Sequence, residues 1–252
     1  MTDKQNNLRI EGLREEVGAT IKAQAEKLIV GLADNLESIT VVGSAITDDF
    51  HPGTSDINIV LVLGREDIGS LNVLASMVGP MRRARISPPV IMTAEYIERS
   101  KDVFGIEFLD FQMTHRTIFG QDPFANLHFD RPHVRLQCER ELKATLIRLR
   151  QGYISSAAKK RMVQDILVSA VRGLAPLLRA MLWLKGIERP AKVTEVFERS
   201  AREFSISSEA LTTLFGRGTR IKLTNEGMVK LFEEVYTTVE NITRIVDGLE
   251  VS

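Results

Sequence analysis

Over residues 13–32 the apolar positions Leu13, Val17, Ile21, Ala25, Leu28 and Leu32 recur every three or four residues, which predicts one face of an amphipathic helix. Asp34 and Asn35 end it. Two short β-branched runs follow, residues 38–42 closing on Gly43 and residues 56–63, each with the length and make-up of a buried strand. Residues 43–55 between them carry Pro52-Gly53 and predict a loop. Leu71, Leu74, Val78 and Met81 mark a second helix. Residues 86–92 predict an edge strand because of Pro88-Pro89, residues 94–102 a short helix opened by Thr93, and residues 105–112 a further strand.

Beyond Gly120-Gln121-Asp122-Pro123 the pattern turns helical, and no period-two segment is evident again. Val134, Cys138, Leu142, Leu146 and Leu149 form one stripe. Residues 163–184 are apolar around much of the circumference, as in a central bundle helix kinked at Pro176 and ended by Gly186. Residues 190–204 and 207–215 predict shorter helices, and Val229, Phe232, Val235, Tyr236, Val239 and Ile242 a long last one. The chain therefore divides into an α/β (α+β) domain with a mixed sheet over residues 1–128 and an all-α helical bundle over residues 129–252.

Composition sharpens this only in part. With 252 residues and 44% hydrophobic positions the chain can bury real cores. No apolar run approaches a membrane span, and residues 1–9 are polar, so the expected location is cytoplasmic, with no membrane partner. The single cysteine, Cys138, and the four histidines make no zinc spacing, so any metal should sit on carboxylates. The zero net charge hides an asymmetry: residues 1–130 hold 12 basic and 19 acidic side chains, residues 131–252 hold 21 and 14. Aromatics do not interleave with the basic residues, which argues against a nucleic-acid platform.

The chemistry-bearing segment is Val41-Val42-Gly43-Ser44-Ala45-Ile46-Thr47 followed by Ser55-Asp56-Ile57-Asn58-Ile59-Val60. Alternation along a strand sends Asp56 and Asn58 from one face. Glycine lets a phosphate approach the backbone, free N–H groups and the Ser44 hydroxyl can donate to it, and a carboxylate opposite can hold a bridging magnesium ion. Asp56, set among Ile57, Ile59 and Val60, needs a cation or several donors to remain charged.

These residues resemble the nucleotidyltransferase superfamily, whose fold is shared by kanamycin nucleotidyltransferase, streptomycin adenylyltransferases and DNA polymerase beta. Its pattern is a hydrophobic residue, Gly-Ser, a loop, then Asp-hydrophobic-Asp. Gly43, Ser44 and Asp56 match; Asn58 stands where the family places its second metal-binding aspartate. The third family acid lies on a later strand, and Ile106-Glu107-Phe108-Leu109-Asp110-Phe111 offers Glu107, with Asp110 in reserve. The resemblance implies magnesium on Asp56, Asn58 and Glu107, with Glu107 also helping to deprotonate the attacking hydroxyl. It implies nucleotide contacts from Gly43, Ser44, Ser55 and Arg116. The activity implied is transfer of a nucleoside monophosphate from a triphosphate to a hydroxyl of a small molecule or protein. Because Asn58 is neutral, a weakened, nucleotide-binding or partner-interaction module is the alternative. Some proteins of this fold act with a ribonuclease built on a bundle bearing an Arg–His pair, but residues 134–252 hold no histidine. Acceptor, nucleobase and oligomeric state stay open.

Overall fold

A computed structural model describes residues 8–218 and 221–251. Residues 1–7, part of the polar start behind the expected location, lie outside that set. By packing, the chain divides into two compact units. The first runs to Phe104 and takes in Phe108–His128; the second takes in Gly105–Glu107 and the chain from Phe129.

The first unit is a four-stranded mixed sheet in the order β3-β2-β1-β4, with β1 (Leu36–Val42), β2 (Asn58–Leu63), β3 (Val90–Thr93) and β4 (His115–Gly120). β1 is antiparallel to β2 and β4, and β2 is parallel to β3. Two helices, α1 (Glu15–Leu32) and α2 (Ile68–Arg83), bury their apolar faces on one side of it. Val17, Ile21, Ala25 and Leu28 on α1 are fully buried in a core with Ile39, Val41, Ile59 and Leu61 of the central strands. Asp67 caps α2 by accepting the Ser70 N–H at 2.8 Å, and Thr93 caps the short α3 (Ala94–Arg99).

Residues 105–112 depart from expectation. They form a helix, α4 (Gly105–Met113), and not a strand. The segment satisfies both periods, since Ile106 and Phe108 alternate while Ile106, Leu109 and Met113 are spaced for one helical face. A distant side chain tips the balance: buried Gln137 accepts the Ile106 N–H at 3.1 Å, satisfying a donor that the helix start leaves free. The last strand is instead His115–Gly120, just after the helix and before the point where the helical pattern was read to begin.

The second unit is a bundle of α5 (Arg131–Ser155), α6 (Lys160–Leu184), α7 (Val193–Phe204), α8 (Glu209–Arg217) and α9 (Asn225–Asp247). Asp130 caps α5, Thr224 caps α9, and Gly186 takes a positive φ where α6 ends. α6 is the buried centre: Leu167, Val171, Leu174, Leu178 and Met181 are fully enclosed. By length and composition α6 is apolar enough to cross a membrane, contrary to the reading of the sequence, but most of it is buried inside the bundle. Cys138 lies in this core, where burial pushes its thiol up to about 12 and leaves it inert as a nucleophile.

Candidate functional site

Gly43 sits at φ +76° directly after β1 and opens a single 3-10 turn through Ile46. Its N–H donates to the Thr114 carbonyl at 2.8 Å, so the segment entering β4 anchors the turn. A Cβ built on Gly43 would lie 3.8 Å from the Asn58 amide nitrogen, which places the Asn58 side chain against the turn. Val42 pairs with Asn58 on one side and with His115 on the other, so all three share one sheet face. The Gly-Ser turn and Asn58 are thus brought together as the sequence indicated. Asp56 precedes β2, and both Asp56 and Asn58 are exposed at the strand mouth.

Asp56 lies outside the strand and in water, so burial does not force a cation on it, yet it has a protein cation beside it. The Arg85 guanidinium lies 3.0 Å from its carboxylate, both side chains being about half exposed (45% and 56%). Arg85 also donates to the Thr54 carbonyl at 2.7 Å and the Ser55 carbonyl at 3.3 Å, fastening the end of the 43–55 loop. Its backbone takes φ +55°, an unusual conformation for a residue bearing a side chain, between α2 and the approach to β3. Nothing in the sequence marked Arg85, because its partner lies across the chain and no spacing links them. The Ser55 hydroxyl accepts the His51 N–H at 3.0 Å and so serves the loop. Arg116 sits on β4 and donates to the Glu11 carbonyl, bracing the N-terminal segment.

The two acid candidates separate. Asp110 lies on the part of α4 that belongs to the first unit, whereas Glu107 lies on its first turn, in the second. The expectation that they point to opposite faces of a strand fails with the strand itself. Glu107 accepts from the Gln137 amide at 3.0 Å, so the side chain that caps α4 also orients this carboxylate. Glu107 reaches solvent, yet desolvation by the surrounding protein, assisted by the nearby Glu141 charge, holds its carboxyl above the ordinary carboxylate value of 4.5.

A raised carboxyl means that its charge costs stability in the folded state. The contribution is most favourable below pH 4.5, where the group is protonated whether folded or not, and is lost as pH rises through the folded value. Glu107→Gln keeps an oxygen for Gln137, so this variant should melt above the parent at neutral pH. The two melting curves should converge near pH 4, and thermal denaturation at both pH values checks this.

A divalent cation is what the resemblance implies, and the donor set bears on it. Among the described residues no three His, Cys, Asp or Glu side chains converge into a metal cage. Asp56 and Asn58 offer one carboxylate and one amide oxygen. Magnesium keeps most of its waters and takes one or two carboxylates together with phosphate oxygens. The set therefore fits a single ion arriving on a triphosphate and does not fit a protein-held pair.

The structure also assembles groups that sequence reasoning passed over. His115 Nε2 lies 2.8 Å from Asp122 and its ring meets Phe124 edge-on. In the second unit a cavity of about 720 Å³ lies between α5 and α6 beside Glu107. In the same unit Arg150 donates to the Tyr236 hydroxyl at 2.7 Å and Lys160 to the Leu223 carbonyl at 2.9 Å.

No family model and no curated protein matches the sequence. A solved structure does match by fold: spectinomycin adenyltransferase AAD(9) from Enterococcus faecialis, determined with ATP and spectinomycin. It superposes with a TM-score of 0.56 over 88% of this chain and 98% of its own, at 13% identity. The shared stretch exceeds either unit alone, so the α/β unit and the helical bundle recur together. The chain has the nucleotidyltransferase fold of the kanamycin-nucleotidyltransferase-like kind.

Proposed function

We propose that this chain is a nucleotidyltransferase that moves a nucleoside monophosphate from a triphosphate to a hydroxyl of a small molecule. The observation that carries the reading is the Gly43 turn set against Asn58, with Asp56 two residues before it, inside a fold whose solved example binds ATP and spectinomycin. The backbone N–H groups of the turn and the Ser44 hydroxyl face the phosphate oxygens. Asp56 and Asn58 would hold a magnesium ion carried on the triphosphate, and that ion supplies charge neutralisation. The acceptor oxygen attacks the α-phosphorus, the bond to the bridging oxygen breaks, and pyrophosphate leaves. The acceptor's hydroxyl proton passes to a base as the new bond forms.

A second reading, binding without turnover, is favoured by two observations: Asn58 lacks charge, and Arg85 already neutralises Asp56. Calorimetric titration with ATP, GTP, CTP and UTP, with and without magnesium, tests the nucleotide site. Saturable binding to one or more of them that strengthens with magnesium is expected. Heat with no magnesium dependence would favour the second reading, and no binding to any of the four would sink both.

A further inference from the structure

The end of α2 singles out Arg85. The Ile86 N–H donates to the Met81 carbonyl at 2.9 Å and the Arg85 N–H to the Arg82 carbonyl at 3.1 Å. These are the two bonds of a Schellman close, in which the position of Arg85 takes a left-handed φ and is usually glycine. An arginine kept at φ +55°, where glycine is the unstrained choice, marks a side chain with a task. Backbone bonds then fix it opposite the approach to β2. The Ile57 N–H donates to the Arg85 carbonyl at 2.8 Å, and the Ser87 N–H to the Ile57 carbonyl at 3.0 Å. Arg85 is thereby held beside Asp56 whatever its side chain does.

Fastening the loop does not use the whole guanidinium. Nε donates to the Ser55 carbonyl and Nη2 to the Thr54 carbonyl, and Nη2 is also the atom 3.0 Å from the Asp56 carboxylate. Nη1 makes no hydrogen bond among the described residues, and Arg82, three residues earlier, has neither an ion pair nor a side-chain hydrogen bond among them. Both arginines line a small cavity of about 160 Å³ with Asp56 and Ser87, which has room for a phosphate group and lies wholly in the first unit. Two guanidiniums with unused donors beside a single carboxylate suit a phosphate oxygen. The Asp56 pair is half in water, so it is held weakly and is easily exchanged.

We propose that Arg85 is a positioning residue that changes partner when a metal-bound triphosphate arrives: Asp56 passes to the ion, and the Arg85 guanidinium passes to a phosphate oxygen with Arg82 beside it. The exchange rests on the nucleotidyltransferase reading and adds to it the means by which metal and nucleotide help one another. Before it, Arg85 occupies the carboxylate and holds off a lone divalent ion by like charge. After it, each ligand has removed the competitor of the other, so each tightens the other's binding by the same factor. An arginine that served the loop alone would behave differently, because its loss would loosen the site for both ligands.

Two titrations of the full chain separate these roles: manganese alone, followed by the EPR signal of the free ion, and ATP, GTP, CTP and UTP in the presence of EDTA, followed by calorimetry. Arg85→Gln is expected to bind manganese about fivefold or more tightly than the parent, because the ion no longer meets a guanidinium at Asp56, and to bind metal-free nucleotide about tenfold more weakly. Asp56→Ala keeps the loop bonds of Arg85 and should tighten metal-free nucleotide several-fold, since it frees the guanidinium and removes a charge that repels phosphate. Circular dichroism checks that both variants are folded. Weakening of both ligands by Arg85→Gln would make Arg85 a loop fastener. Absence of the manganese gain, or an Asp56→Ala protein that binds metal-free nucleotide no better than the parent, overturns the exchange as well. In each of these cases magnesium-dependent nucleotide binding by the parent still upholds the transferase reading. No binding of any of the four nucleotides by the parent, with or without magnesium, overturns both.

Discussion

Asp56→Ala should remove magnesium-dependent nucleotide binding and lower any nucleotidyl transfer by about 10²–10³-fold, while shifting thermal stability by less than about 1 kcal/mol. The two effects separate because of where Asp56 sits. Its carboxylate is exposed at the mouth of β2, and its ion pair with Arg85 is half in water, where such pairs contribute little. Arg85 keeps its bonds to the Thr54 and Ser55 carbonyls when the carboxylate is gone, so the loop stays fastened. What is lost is a carboxylate two residues before Asn58, the residue set against the Gly43 turn. Asn58→Asp makes the opposite change, adding a second carboxylate where the structure has an amide. Metal affinity should then rise about tenfold, read by titration with manganese in the presence of nucleotide. A variant lacking Asp56 that still binds nucleotide with the parent's magnesium dependence would remove this carboxylate from the site.

What the sequence made legible was local. The Gly43-Ser44 turn, the strand after it, the Thr93 cap and the bundle helices each carry their signal within a dozen residues. The failures are non-local. Residues 105–112 fit a strand and a helix equally well, and the group that decides, Gln137, lies 31 positions away on α5. Read as a strand, the segment puts Glu107 at a strand start, whereas the folded chain sets it on a helix start with Gln137 and a cavity wall. β4 was hidden because it follows α4 with only Thr114 between, leaving no polar turn to announce it. The Arg85 partnership was invisible for the same reason: an ion pair across a fold has no period. The parts of the site that depend on a backbone turn could thus be read from sequence, and those that depend on which side chains meet could not.

Gly120→Ala should be the most damaging single methyl group that can be added to the described glycines. Gly120 ends β4 opposite Ser38, at φ +74°, and a Cβ there would lie 1.8 Å from the Glu37 carbonyl oxygen, 2.9 Å from its carbon and 3.0 Å from the Ser38 Cα. All three are backbone atoms of the neighbouring strand, beside the irregularity in β1, so no side chain can swing aside; β4 must part from β1 at that end. A loss of about 4 kcal/mol or more is expected, a large share of the 5–15 kcal/mol that holds a typical domain. Gly53→Ala isolates the cause. Gly53 has a comparable φ, +80°, but nothing lies within 4 Å of its added methyl, so only the backbone strain of about 1 kcal/mol remains. Thermal or urea denaturation of the two variants should therefore differ by about 3 kcal/mol or more. Equal losses would mean that φ alone, and not the meeting of two strands, makes glycine necessary at position 120. The consequence reaches the candidate site, because the Gly43 N–H rests on the Thr114 carbonyl at the head of β4. A strand displaced at Gly120 loosens the partner of β1 along the edge on which the Gly43 turn depends.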